Sequence, residues 1–292
     1  KTPGPNDNPA RNTVAEVYAQ ILSDLSQSES LLEGYSLSDK TADSYHFNRE
    51  AVQAFKARVY LYMQRWQDAY DYASSVADRM LLAQGDEYLD MYRTFTTQGE
   101  SLFRLCGDEQ SGKLKAFYDQ TALPADTLLG LFDPRDIRLN LLYLQGQKYV
   151  AKYYVPNTED AKRDDPFVIR TSEVYLTVAE AACELGRYAD ARRYLSPILS
   201  RAVDEAYAST VLSATGDGQP LLALVLKERV KELCFEGHCL FDLTRRGADL
   251  VRESNTNSTL KRLDWPSSRF VLPIPETELN ANHNVKGNPD IN

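Results

Sequence analysis

Histidine, tryptophan, methionine and cysteine are all scarce, at 3, 2, 3 and 4 residues of 292. His46, His238 and His283 share no ligand spacing, and no H-E-x-x-H occurs, so a zinc-hydrolase reading finds no support. Four cysteines are too few for a disulfide scaffold in a chain long enough to bury a large core. Cys234 and Cys239, with His238 beside them, read as thiols packed on buried helix faces, because free cysteine behaves as a small hydrophobe. No glycine-rich phosphate loop and no G-x-S-x-G elbow is present. Carboxylates are too numerous to single out a glycosidase pair, which is defined by spatial separation. No catalytic group, metal site or cofactor is therefore expected, and the chain is read as a non-enzyme.

Positive charge is also in deficit: 33 basic against 42 acidic residues leave a net charge of −9. A general nucleic-acid binder needs a basic face to displace phosphate counterions, so no nucleic-acid partner is expected. Electrostatic docking on an anionic membrane is disfavoured as well. The longest apolar run, residues 221–226, is far too short to span a bilayer. The chain opens on Lys1-Thr2-Pro3-Gly4 rather than on methionine, so the lack of a leader carries no information on localisation.

Tyrosine is abundant instead, at 18 residues. Its flat ring and polar tip suit binding surfaces and half-buried packing alike. Residues 1–12 read as an extended lead-in. Thr13 and Glu16 form a capping box for a helix whose apolar residues Val14, Val17, Tyr18, Ile21, Leu22 and Leu25 follow helical spacing. Asn48 caps a second helix, and a third runs from Trp66 to Leu81, with Ala54, Ala57, Ala69 and Ala73 permitting close approach.

A second copy of this hairpin recurs at an offset of 122 residues. Ala57 matches Ala179, Trp66 matches Tyr188, Asp68 matches Asp190, Ala69 matches Ala191 and Arg79 matches Arg201. Helices over 172–185 and 188–203 follow from the match, with Gly186 between them. The pattern is tetratricopeptide-like, but the copies are not in tandem, which predicts helical pairs around one shared core rather than an open solenoid. Residues 84–171 carry strand-like alternation at 101–105 and 148–153, with Gly107, Gly112, Pro124 and Pro134 between, and read mostly as loop. Binding usually sits on such loops over a rigid frame. Pro220 opens a further helix closed by Gly237, a short helix runs to Gly247, and the proline-punctuated tail argues against more helix. The fold class is mainly α, with helical hairpins around a shared core, a loop-rich face and a few short β-strands.

The densest charged motif is Glu228-Arg229-x-Lys231-Glu232-Leu233-x-Phe235-Glu236-Gly237, followed by Phe241-Asp242-Leu243-x-Arg245-Arg246-Gly247. Glu228, Glu232 and Glu236 share one helix face at this spacing. Between an anion site and a buried ion-pair network fixing an interhelical angle, the network is favoured.

These residues resemble the SusD/RagB family. Arg170-x-x-Glu173-x-Tyr175-Leu176-x-x-Ala179-Glu180-Ala181 is similar to its R-x-x-E-x-Y-L-x-x-A-E-A signature, and 228–247 to its E-R-x-x-E-L-x-F-E-G-x-R-x-x-D-L-x-R-x-G. His238 and Cys239 stand where a charged residue often follows F-E-G. Leu272-Pro273-Ile274-Pro275, with Glu278, Asn280 and Asn288-Pro289, is similar to the family's ending. Asp133-Pro134-Arg135 and the hairpin from Ala57-Arg58-x-Tyr60-Leu61 to Trp66-x-x-Ala69 also fit. The resemblance is to the family's C-terminal majority, or to an unusually short member, since the lipid-anchored cysteine and first helical section that open family members are not expected within this sequence.

The resemblance implies one SusD-like domain over 1–292: a first hairpin region (13–83), a loop-rich variable region (84–171), a second hairpin and motif region (172–247) and a tail (248–292). It implies an outward-facing outer-membrane lipoprotein that binds an oligosaccharide and delivers it to a SusC-like TonB-dependent transporter. Its only membrane attachment would be an N-terminal lipid anchor lying outside this chain. Peptide cargo, or a protein-binding scaffold of tetratricopeptide type, is the alternative. The family motifs look architectural, so ligand-binding candidates come from the variable region: Tyr92, Phe117 and Tyr118 as stacking rings and Asp119 as a polar partner. Trp265 is a weaker candidate.

Overall fold

A computed structural model describes residues 8–94, 98–107, 113–154 and 164–288; Gly112 and Pro289, both cited above, lie outside them. The chain divides into two compact units, one Asp24–Gly237, the other the residues up to Ser23 together with those from His238 onward. Helix α1 (Val14–Leu31) has residues in both. Its capping box forms as expected: Thr13 N–H donates to Glu16 Oε2 at 2.8 Å, and Glu16 N–H to Thr13 Oγ1 at 3.2 Å. None of its residues is fully buried: Tyr18, Ile21, Leu22 and Leu25 are half-buried, while Val14 and Val17 are exposed.

Within Asp24–Gly237 the frame is two helical hairpins. The first pairs α2 (Arg49–Tyr62) with α3 (Trp66–Ala77). Asn48 caps α2 as read, its side chain accepting from Ala51 N–H at 2.9 Å. Next come α4 (Gly85–Arg93), β1 (Ser101–Arg104), α5 (Lys113–Thr121) and α6 (Asp126–Leu129). A 3-10 turn at Ile137–Leu141, the two-residue strands β2 (Tyr143–Leu144) and β3 (Gln147–Lys148), and a 3-10 turn at Ala151–Tyr153 follow. Strand β4 (Phe167–Arg170) pairs antiparallel with β1, Ser101 opposite Arg170, and leads into the second hairpin, α7 (Thr171–Glu184) and α8 (Tyr188–Ala202). Helices α9 (Glu205–Ala214) and α10 (Gln219–Leu233) complete the unit.

The hairpins are separated in sequence but adjacent in space, because α3 packs directly on α7. Every residue of α7 from Thr171 to Cys183 is buried, among α3, α8, α10 and α2. A helix enclosed on all sides tolerates its two buried glutamates, Glu173 and Glu180, only with partners. The repeat extends to the turns. Arg65 N–H donates to Tyr60 O at 2.9 Å, and Arg187 N–H to Ala182 O at 2.8 Å, the same pair displaced by one repeat. Both turns use a left-handed residue, Gln64 at φ 57° and Gly186 at φ 72°, as a Schellman-type helix end requires. The alanines Ala57, Ala69, Ala73, Ala179 and Ala191 are all fully buried, consistent with close helix approach.

Two local expectations fail. Residues 148–153 do not form a strand beyond Lys148: Val150, Ala151 and Lys152 are all buried, and the chain turns to carry Lys152 into the interior. The loop-rich region also holds two nine-residue helices, α4 and α5. Helix α4 forms because Tyr88, Leu89, Met91 and Tyr92 bury one face.

The other unit carries α11 (Cys239–Arg246), β5 (Leu250–Val251) paired with β6 (Arg262–Leu263), a 3-10 turn at Ser268–Phe270 and α12 (Glu276–Ala281). Helix α12 forms despite the prolines, since Pro275 precedes it and Glu276 and Glu278 sit favourably in its first turn. The tail is tied to the lead-in: Asn282 Nδ2 donates to Pro9 O at 3.0 Å and Arg11 Nη1 to Asn288 Oδ1 at 3.1 Å. Trp265 packs edge-on against Phe270 and presses on Gly247, where a Cβ would meet its Nε1 at 3.2 Å. Cys239 lies exposed rather than on a buried face, while Cys183 is buried in α7 and its thiol is pushed up to about 12, by burial first and then by Glu180. Among the described residues no helix is long and apolar enough to cross a membrane.

Candidate functional site

Glu228, Lys231, Glu232 and Glu236 join a solvent-excluded network rather than a cleft, whereas Asp242 and Arg245 of the same motif pair with each other on α11. Arg170 ion-pairs with Glu232 at 2.8 Å, Glu236 at 2.8 Å and Glu100 at 3.1 Å. Arg138 reaches Asp136 at 2.7 Å, Glu228 at 2.8 Å and Glu232 at 3.1 Å. Arg201 pairs with Glu100 and Glu232, Lys231 with Glu228 at 2.8 Å, and Lys152 Nζ donates to Glu232 O at 2.7 Å. Tyr88 adds a hydroxyl donor to Glu232 at 3.2 Å. Glu236 is not on the helix with Glu228 and Glu232: α10 ends at Leu233, and a turn through Phe235 at φ 64° carries Glu236 back to Arg170 and Lys152.

Burial alone would favour neutral carboxyls here. Arg201, Arg170 and Arg138 overturn it and hold Glu232 well below the usual range, while Arg170 and Lys152 bring Glu236 down to about 2. The hairpin and α7 motifs join likewise, Arg58 Nε donating to Glu173 at 2.6 Å. Carboxylates locked in the ionised form, each facing a fixed cation, suit bracing rather than proton transfer.

The four sequence-predicted ligand residues fall in two places. Tyr92, 5% exposed, lies inside: its hydroxyl donates to Glu236 Oε1 at 3.2 Å and its ring meets Tyr88 and Phe167 edge-on. It lines a cavity of only about 20 Å³, the room of one water. Phe117, Tyr118 and Asp119 stand together on α5. Phe117 is 54% exposed and contacts Tyr118 edge-on at 5.2 Å. Tyr118 stacks on Tyr153 at 5.2 Å, their planes 6° apart. Both hydroxyls donate to Phe235 O, at 3.2 and 2.8 Å, satisfying a carbonyl just past the end of α10. Asp119 accepts from Lys115 at 3.2 Å and from the Tyr149 hydroxyl. Tyr149 meets Tyr154 edge-on at 5.9 Å.

An aromatic shelf with the Asp119 carboxylate at its edge thus forms from α5 and residues 149–154. Tyr149, Tyr153 and Tyr154 were missed as candidates because their alternation reads as a strand; the clustering of three tyrosines in six residues was the available signal.

Paired helices, a buried ionic brace and a ring-bearing outer segment define a helical-repeat protein. The sequence matches the SusD family over residues 6–290, and the chain belongs to that family. Two solved structures are similar at comparable identity. One is a SusD superfamily protein from Bacteroides thetaiotaomicron, with 29% identity and TM-score 0.83, covering 98% of this chain and 69% of that one. The other is a Bacteroides vulgatus protein described as sugar binding, with 31% identity and TM-score 0.79, covering 97% of this chain and 67% of that one. A Bacteroides fragilis SusD superfamily protein shares the fold at 22% identity and TM-score 0.80, covering 98% and 67%. No curated protein matches. The SusD family groups cell-surface-associated proteins of nutrient uptake that are generally non-catalytic.

Proposed function

We propose that this chain captures an oligosaccharide at the outward face of the outer membrane, without altering it, and hands it to a SusC-like TonB-dependent transporter. The observation that carries the reading is the α5 shelf: exposed Phe117 and half-buried Tyr118, Tyr149 and Tyr154, edged by Asp119. A pyranose presents an apolar C–H face to such rings while its hydroxyls bond flanking carboxylates. In this reading Tyr92 supports the shelf from the interior rather than touching ligand. Family membership and the sugar-binding description of a relative lend it further support.

Titration calorimetry with defined oligosaccharides tests it. Binding is expected, with Phe117→Ala or Asp119→Ala weakening it about tenfold, the size of one stacking contact or one charged hydrogen bond. Tight binding of peptides with no glycan binding would replace the cargo. New reducing ends released from polysaccharide and abolished by a single carboxylate change would overturn the non-catalytic reading.

A further inference from the structure

Helix α5 presents Phe117, Tyr118 and Asp119, yet none of its described side chains is buried. A nine-residue helix is not stable on propensity alone, so something outside it must hold it. Tyr118 and Asp119 tether its later turns through Tyr153, Phe235 and Tyr149, and its opening amides show what holds its start. The first amides of any helix lack intrahelical acceptors. Here Leu114 N–H and Lys115 N–H both donate to Asp164 Oδ2, at 2.9 and 3.3 Å. Asp164 is 6% exposed and stands shortly before β4, which pairs with β1 and enters the buried helix α7. The adjoining Asp165, 8% exposed, accepts from Gly107 N–H at 2.8 Å and from the Tyr45 hydroxyl at 2.7 Å. The two carboxylates therefore gather the start of α5, the exit of β1 and the Tyr45 loop.

Keeping Asp164 out of water is unfavourable: burial, reinforced by Asp165 and opposed by the two amides, lifts its carboxyl above the ordinary aspartate value. The compensation available is what a carboxylate does at a helix start, where amide donors and the dipole both favour negative charge.

We propose that Asp164 is the positioning residue of the shelf: its side chain seats the first turn of α5 and so sets where Phe117, Tyr118 and Asp119 stand. Its importance for capture rests on the glycan reading above; the seating itself does not. Among the described residues the hydrogen bonds of Asp164 run to backbone amides, and it need not contact ligand.

Hydrogen exchange with Asp164→Ala and Asp164→Asn, at one pH, tests the seating without any ligand. In the alanine variant the amides of α5 should exchange about tenfold faster, the usual effect of a lost cap, while those of α7 and α8 keep their protection. The asparagine variant, which restores an acceptor oxygen, should recover most of the protection. Unchanged exchange in α5, or an equal loss throughout the chain with a matching fall in melting temperature, would overturn the proposal. Where an oligosaccharide binds the parent protein, the alanine variant should bind it several-fold more weakly and the asparagine variant nearly normally; undiminished binding with a loosened α5 would also overturn it. A parent protein that binds no oligosaccharide defeats the capture reading alone, and the exchange data still decide the seating.

Discussion

Glu236 shows how one side chain can register the ionic state of the whole interior. Its carboxyl titrates near 2, against 4.5 when unfolded, so the folded state binds its proton less tightly. The stabilisation is complete above the unfolded value and is lost as pH falls from about 4.5 toward 2, amounting to about 3 kcal/mol for this group. Glu232, held well below the usual carboxylate range by three arginines, adds in the same direction. Melting temperature should therefore fall steeply below about pH 4.5. Glu236→Gln should start lower at pH 7 and decline more gently, as scanning calorimetry across pH would record. Equal slopes for the two proteins would contradict this. The charged types and spacing that carry the network were legible in the sequence, as was its structural role. That Glu236 reaches it from a turn was not, because helical spacing cannot report a left-handed residue at Phe235.

The repeated hairpin gives a prediction at the level of the element. Gln64 and Gly186 occupy equivalent left-handed positions, but only the second is glycine. Gln64→Gly should raise stability by about 0.5–1 kcal/mol, since it removes the Cβ conflict that this conformation imposes. Gly186→Ala should lower it by about 1–2 kcal/mol through backbone strain alone, because nothing lies within 4 Å of the added methyl. Chemical denaturation of both variants checks the pair, and a stabilising Gly186→Ala would show that the turn conformation is wrong. The hairpins could be read from sequence because alanine spacing and large aromatics are local signals. The strand expected through 148–153 could not be corrected that way: Lys152 is drawn inside by Glu232 and Glu236, which lie far along the chain.

At the scale of the molecule, the net charge of −9 combines with a buried share of cations. Arg104, Arg138, Arg170, Arg201, Arg229 and Lys231 are interior, but so are Glu50, Glu100, Asp136, Glu173, Glu180, Glu228 and Glu232, so burial removes both signs alike and the outside keeps the acidic balance of the composition. The protein should bind an anion exchanger at pH 7 and pass through heparin at physiological salt; retention on heparin would point to a basic face and reopen an anionic cargo. The helical frame was legible because its motifs lie on the frame itself. The shelf was legible only in part, since α5 and the tyrosines from 149 to 154 meet through tertiary contacts that no local pattern encodes.

The variable region is riveted to that frame at definite points. Glu100 fastens it on one side by pairing with Arg201, and Arg104 by its backbone N–H to Ser44 O, while Asp136, Arg138 and Lys152 fasten it on the other by pairing with Lys231, Glu228 and the Glu232 carbonyl. Residues between Arg104 and Asp136 form a span whose two ends are pinned. A span anchored like this can change length or sequence while the brace remains closed, as loop-closure entropy grows only slowly with length. Transplanting it between relatives would then exchange cargo preference and leave the scaffold's melting behaviour largely intact.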